Sequence, residues 1–199
     1  MTTRPDLLLA SSSPYRRELL SRLQLPFDCA SPDIDETPQP GEAPEILAVR
    51  LAAGKARALV ATHPTSLIIG SDQVAALPDG TILSKPGNHE RATRQLRQSS
   101  GQCVQFFTGL ALLDARTHTL KTHCEQFDAH FRTLSPEEIE SYLLKEQPYD
   151  CAGSFKMEGL GITLFSSLEG RDPNSLVGLP LIALTDLLRD FGINPLLDP

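Results

Sequence analysis

No stretch of this sequence is apolar enough to cross a bilayer. The longest apolar runs, such as Leu7 to Ala10 and Gly109 to Leu113, fall far short of the roughly 20 residues that a spanning helix needs. Met1 to Asp6 show no basic stretch followed by an apolar segment, so no export signal and a cytoplasmic location are expected. Cysteine is scarce and unpatterned. Cys29, Cys103, Cys124 and Cys151 include no C-x-x-C pair, which argues against a zinc knuckle or a dithiol redox motif and leaves free buried thiols as the expectation. Tryptophan is absent. So is the Walker pattern G-x-x-x-x-G-K-[ST], and Gly159 and Gly161 begin a G-x-G that Leu164 breaks where the third glycine belongs. Neither H-E-x-x-H nor G-x-S-x-G occurs, and none of the five histidines pairs with another at helical metal spacing. Positive charge is outweighed: 18 Lys and Arg face 25 Asp and Glu, for a formal charge of −7. That argues against long nucleic acid as a partner, but a nucleotide needs only a local basic patch.

What is present suits one soluble globular domain over residues 1–199, with 40% hydrophobic and 22% charged residues and no repeat or low-complexity tract. Leu7 to Ala10 reads as a buried strand that runs into Ser11-Ser12-Ser13, with Ser13 as N-cap and Pro14 as the first residue of a helix carrying Leu19, Leu20 and Leu23. Phe27 to Ala30 reads as a short strand, and Pro32 to Pro44, with four prolines, as a loop. A helix is expected over Glu45 to Ala61 and a strand over Leu67 to Ile69 that ends at Gly70-Ser71-Asp72. Asn88 caps a helix to about Gln98. Cys103 to Leu113 and Leu120 to Thr133 read as long strands. Ser135-Pro136-Glu137-Glu138 is a capping box before a helix to about Lys145. A short strand is expected at Ile162 to Phe165, then a final helix from Pro180 to Phe191 with Gly192 at its end. Strands and helices intermingle, so the expected fold is α/β with a mixed central sheet flanked by helices.

Several segments have residue types suited to phosphate chemistry. Ser11, Ser13, Arg16 and Arg17 stand where a strand passes into a helix N-terminus, a place where hydroxyls, backbone N–H groups and guanidinium forks hold phosphate. The same residues also read as a helix cap followed by two solvated arginines. Asp72, after an apolar strand, suits a general base or a hard-cation ligand, or a turn aspartate. The acidic run Asp33-Ile34-Asp35-Glu36 suits a divalent cation or a solvated loop. Lys55, Lys85 and Lys156 suit triphosphate charge or a plain surface. Glu158 suits the N–H edge of a purine or an exposed turn, and Gly170 to Asn174 reads as a structural turn.

Together these blocks resemble the Maf family of nucleotide pyrophosphatases over nearly the full length. The likeness runs through Leu9 to Leu20, Asp33 to Glu36, Arg50-Leu51-Ala52, Lys55-Ala56, Ile69 to Asp72 and Lys85-Pro86. It continues in Thr108-Gly109, Ile139 and Tyr142, Ala152 to Phe155 and Val177 to Pro180. The resemblance implies two lobes around a cleft and hydrolysis of nucleoside triphosphates to monophosphate and pyrophosphate. It also implies a divalent metal (Mg or Mn), and homodimerisation by family likeness. It matches Asp72 to the catalytic aspartate, Ser11, Ser13, Arg16 and Arg17 to phosphate binding, and Glu36, Lys55 and Lys85 to the cleft, with Glu36 and Asp72 as the metal ligands. Tyr15, Gln73 and Glu158 match the positions that separate the branches, and they resemble the 7-methyl-GTP branch. A cationic methylated guanine should stack on Tyr15, and Glu158 should accept its N–H donors. The departure is position 15, where the branch has tryptophan; tyrosine keeps the ring with less area. The competing readings are a pyrophosphatase for dTTP, UTP or a modified purine, a non-catalytic nucleotide-binding regulator of cell division, and a structural dimer module.

Overall fold

A computed structural model of the chain describes residues 5–198. The strands are β1 (Leu7–Ala10), β2 (Phe27–Ala30), β3 (Leu67–Ala76), β4 (Ile82–Leu83), β5 (Cys103–Asp114), β6 (Thr119–Phe131) and β7 (Phe165–Gly170). The helices are α1 (Pro14–Ser21), α2 (Pro44–Ala58), α3 (His89–Ser99), α4 (Pro136–Glu146) and α5 (Leu181–Asp190). The fold is α/β. One seven-stranded mixed sheet has the order β2-β1-β3-β5-β6-β7, with β4 on β3. β1 is parallel to β2 and β3, whereas β4 on β3 and β7 on β6 are antiparallel. Backbone packing divides the chain into two compact units: Met1–Asp72 with Thr108–Glu125 and Asp172–Pro199, and Gln73–Phe107 with Gln126–Arg171.

In the first unit the two-residue period of the strands feeds two separate cores. Leu7 and Leu9 of β1, Leu67 and Ile69 of β3, and Leu110 and Leu112 of β5 pack with Leu19 and Leu20 of α1 and Leu184 and Leu188 of α5. The alternate residues Leu8, Ala10, Ile68, Ala111 and Leu113 pack with Ala52, Ala53 and Ala56 of α2. Both faces are covered, which is why β1 is apolar at every position instead of alternating. Helix α2 lies unusually close to the sheet. A Cβ on Gly70 would stand 2.1 Å from the Ala52 carbonyl oxygen, and one on Gly109 2.1 Å from that of Ala48. Only glycine permits this approach.

The second unit has an aromatic core. Phe106 meets Phe155 edge-on at 5.0 Å between centroids, Phe155 meets Phe165 at 5.1 Å, and Phe165 meets Phe131 at 4.7 Å. Asn88 caps α3, and the capping box of α4 is complete: Glu138 N–H donates to Ser135 Oγ at 3.2 Å, and Ser135 N–H to Glu138 Oε2 at 2.8 Å.

Three expectations need correction. β3 does not end at Asp72 but runs on to Ala76, so that aspartate lies within a strand. Helix α2 stops at Ala58, where the next N–H groups tighten to i→i−3 bonds, Leu59 to the Ala56 carbonyl at 3.4 Å and Val60 to the Arg57 carbonyl at 3.2 Å. Residues Leu160–Leu164 form a 3-10 turn, and the strand is instead Phe165–Gly170. That strand, at one end of the strand order, is exposed at four of its six positions and has little apolar signal to read. The four cysteines are free, as expected, but none is fully buried: Cys29 is exposed and the other three are half-buried. Burial pushes the Cys124 thiol up to about 11 and the Cys151 thiol up to about 12, which leaves neither as a thiolate nucleophile at neutral pH. Among the described residues no helix is long and apolar enough to cross a membrane.

Candidate functional site

The strand β1 delivers its chain to a tightly turned helix start. Ser11 N–H donates to the Leu9 carbonyl at 2.9 Å, and Ser13 N–H to Ser11 Oγ at 3.1 Å. Ser13 caps α1 by accepting from Arg16 N–H at 3.4 Å. The first turn of α1 therefore presents a buried hydroxyl, a cap hydroxyl and a guanidinium on one short segment. Arg16 does not swing freely, because its Nε donates to the Gly178 carbonyl at 2.8 Å. Gly178 has φ +106, and a Cβ there would stand 3.0 Å from that same Nε. The Gly178 carbonyl also lies 2.8 Å from Ser71 Oγ, which is fully buried and 2.9 Å from the Gly109 carbonyl. Burial pulls the Arg16 guanidinium below its ordinary value, and the carboxylates of Asp72 and Glu36 oppose that shift. Arg16 remains a cation facing two anions.

The second half of the cluster comes from α2 and β3. Lys55 is buried, and its Nζ lies 2.5 Å from Asp72 Oδ1 and 2.7 Å from Glu36 Oε1. The close seating of α2 through Gly70 and Gly109 makes this reach possible: Gly70 is two residues before Asp72, and the carbonyl it meets belongs to Ala52, three residues before Lys55. The Asp72 side chain is 12% exposed and the Glu36 side chain 53% exposed, so Glu36 is the member of the pair that meets solvent. Two carboxylates aimed at one cation suit a hard divalent ion of the kind that takes one or two protein carboxylates and fills its remaining positions from phosphate oxygens and water. Among the described residues no cluster of three or more such ligands exists.

Arg16, Glu36, Lys55 and Asp72 thus belong to one electrostatic cluster of the first unit, and Ser11 and Ser13 form the helix start that carries Arg16. Tyr15 is half-buried and Arg17 exposed on α1, with the Arg17 charge acting on Cys29. Gln73, Lys85 and Glu158 belong to the second unit. Gln73 is half-buried in β3, and Lys85 is exposed just before the buried Pro86. Glu158 is exposed on a segment held from several sides: Lys156 N–H donates to Tyr142 Oη at 3.0 Å, and Leu160 N–H to Glu146 Oε1 at 2.9 Å. Before it, Gly153 and Ser154 both have positive φ, and the Ser154 hydroxyl meets Gln95 Oε1 at 2.5 Å.

Sequence reading passed over Ser71, whose only local sign was its place beside Asp72. The turn at Gly170 to Asn174 is structural, as read. Asp172 is fully buried and accepts from Asn174 N–H at 2.9 Å and Ile182 N–H at 2.8 Å. It thereby ties together the segment that carries the Gly178 carbonyl. A family model described as Maf-like protein matches residues 6–191.

Proposed function

We propose, from the premise that the chain belongs to the Maf-like family, that it hydrolyses 7-methyl-GTP to 7-methyl-GMP and pyrophosphate. The family is generally one of nucleoside triphosphate pyrophosphatases that use divalent metals, so the coarse activity follows from membership. The observation that carries the chemical part is the convergence of Asp72 and Glu36 on the Lys55 ammonium, with the Arg16 charge beside them.

In this reading the Arg16 fork, held through Nε, turns its remaining N–H donors to phosphate oxygens, aided by the Ser11 and Ser13 turn and by Arg17. Lys55 and Lys85 offset further phosphate charge. Asp72 orients a water and takes its proton as the water oxygen bonds to the α-phosphorus. The bond from that phosphorus to the bridging oxygen breaks, and the electron pair leaves with pyrophosphate. Glu36 and Asp72 would hold the divalent ion, Mg or Mn, which supplies charge stabilisation at the phosphate oxygens. Holding the ion and orienting the water are two roles that the Asp72 carboxylate can share. Tyr15 supplies an aromatic face for the cationic base, Glu158 accepts its N–H donors, and Gln73 contributes to base selection. The reading extends to a cytoplasmic homodimer that acts on a small nucleotide, with no long nucleic acid and no membrane partner.

The test is pyrophosphate release from 7-methyl-GTP, GTP, dTTP, UTP and ITP with Mg²⁺ or Mn²⁺, and with an EDTA control. Preference for 7-methyl-GTP is expected. Preference for dTTP, UTP or ITP would keep the enzyme class and remove the roles given to Tyr15, Gln73 and Glu158. Binding without pyrophosphate release from any of them would favour a nucleotide-binding regulator.

A further inference from the structure

We infer that Arg50, through its ion pair with Glu42, is the positioning residue that holds the acidic segment on α2 and fixes Glu36 against Lys55. This rests on the reading of Glu36, Lys55 and Asp72 as the working cluster. Residues 31–43 have no strand or helix to hold them, and Pro32, Pro38 and Pro40 remove three N–H donors from the stretch. Something other than backbone ladders must place Glu36.

Arg50 does so from one turn and a half before Lys55 on the same helix. Its Nε donates to Glu42 Oε1 at 2.6 Å and its Nη2 to Glu42 Oε2 at 2.8 Å, a bidentate fork. The same Nη2 donates to the Thr37 carbonyl at 3.0 Å, one residue beyond Glu36. Glu42 Oε2 also accepts from Gln39 N–H at 3.0 Å, and Asp35 Oδ1 from Thr37 N–H at 2.9 Å, so the segment is braced on both sides of Glu36. The Glu42 side chain is only 5% exposed although it is charged, and the Arg50 side chain is 31% exposed. A buried carboxylate of this kind is expensive to leave unpaired. Hydrogen bonds from Arg50 and Gln39 pull Glu42 down to about 2, so it stays ionised across the working range. Because Arg50 and Lys55 ride on one helix, five residues apart, the spacing of the backbone positions that carry the clamp and the ammonium is set by helix geometry. Arg50 itself touches no reacting group.

The test combines kinetics with amide exchange on the full chain. Arg50→Met, Glu36→Gln and the double variant are compared for pyrophosphate release from the best nucleotide of the panel, with Arg50→Lys as the conservative variant. Misplacement of a group by about 1 Å can cost on the order of 100-fold. Here Arg50→Met should lower kcat/KM about 10-fold, Arg50→Lys less, and Arg50→Met should add less than about 2-fold once Glu36 is Gln. Amides of residues 35–42 should exchange faster in Arg50→Met. Arg116→Met removes another bidentate pair, to Asp114, and should lower stability without that kinetic pattern. Losses that multiply in the double variant would reduce Arg50 to a structural role and overturn the inference, as would unchanged exchange over 35–42. If the unaltered chain released no pyrophosphate, the functional reading would fail, and the exchange data would still decide the clamp.

Discussion

The two compact units hold their functional candidates in opposite ways. In the first, the charges are interlocked: Lys55 meets both Asp72 and Glu36, the Arg16 charge acts on the same two carboxylates, and Arg16 is anchored on the Gly178 carbonyl. In the second, Lys85 and Glu158 are exposed, and the structure fixes the backbone around Glu158 through Tyr142 and Glu146. Groups that must offset a triphosphate need preset positions, because reorganising charge at the moment of reaction costs rate. A group that selects among bases can be a single exposed acceptor on a firm backbone. In the proposed reading the interlocked charges of the first unit carry turnover, while preference rests on Tyr15 of the first unit and on Gln73 and Glu158 of the second.

The largest effect that would break this division is at Asp72. Asp72→Asn should lower turnover by at least about 1,000-fold while leaving nucleotide binding within a few-fold, as measured by single-turnover kinetics and calorimetric titration. Retained turnover would take the proton-accepting role away from Asp72. Next is Gly70→Ala, which places a methyl group 2.1 Å from the Ala52 carbonyl oxygen. Overpacking of this kind costs about 1–3 kcal/mol or more. The urea midpoint should fall, and kcat should fall with it as α2 and Lys55 shift; an unchanged midpoint would mean the helix is not seated as described.

Tyr15→Ala in the first unit and Glu158→Gln in the second test base preference apart from turnover. Each should cost about 10-fold in kcat/KM for 7-methyl-GTP and less for GTP, since a cation–π contact and a charge-assisted hydrogen bond are each worth on the order of 1–2 kcal/mol. Equal losses on both nucleotides would remove them as selecting residues. The smallest expected effect is the acid dependence of the Glu42 pair. Its folded value is depressed to about 2 from an ordinary 4.5, first through the Arg50 hydrogen bond. A depressed carboxylate adds stability that is complete above about 4.5 and fades as pH falls toward about 2. The difference in urea midpoint between the unaltered chain and Glu42→Gln should therefore shrink between pH 5 and pH 2.5. A difference that stays constant would show that the pair does not hold in solution.

Much of this was legible from residues alone wherever the signal was local. Ser13 with Pro14, Asn88, and Ser135 with Glu138 mark helix starts through hydrogen bonds made within a few residues, and all three caps are present. The apolar run at Leu7 to Ala10 marks a buried strand for the same reason. The turn at Leu160–Leu164 and the polar strand after it were not legible, because their placement depends on tertiary contacts. Gly161 lies against the Lys156 carbonyl, and Phe127 to Phe131 supply the pairing edge. The candidate cluster divides likewise. That Asp72, Lys55, Arg16 and Glu36 bear the chemistry was suggested by residue type and family likeness. That Glu36 and Asp72 share one ammonium was not.

The sequence by itself determined the α/β class, the helix caps, the free thiols and the kinds of side chain available to a triphosphate. These rest on short-range propensities and on composition. Only the tertiary structure decided that β3 carries Asp72 mid-strand, that Gly70 and Gly109 let α2 bring Lys55 to it, and that Ser71, Gly178 and Arg50 hold the neighbouring groups in place. Those relations join residues far apart in the chain, and the deciding quantity, close packing of a helix on a strand, appears only when both are present.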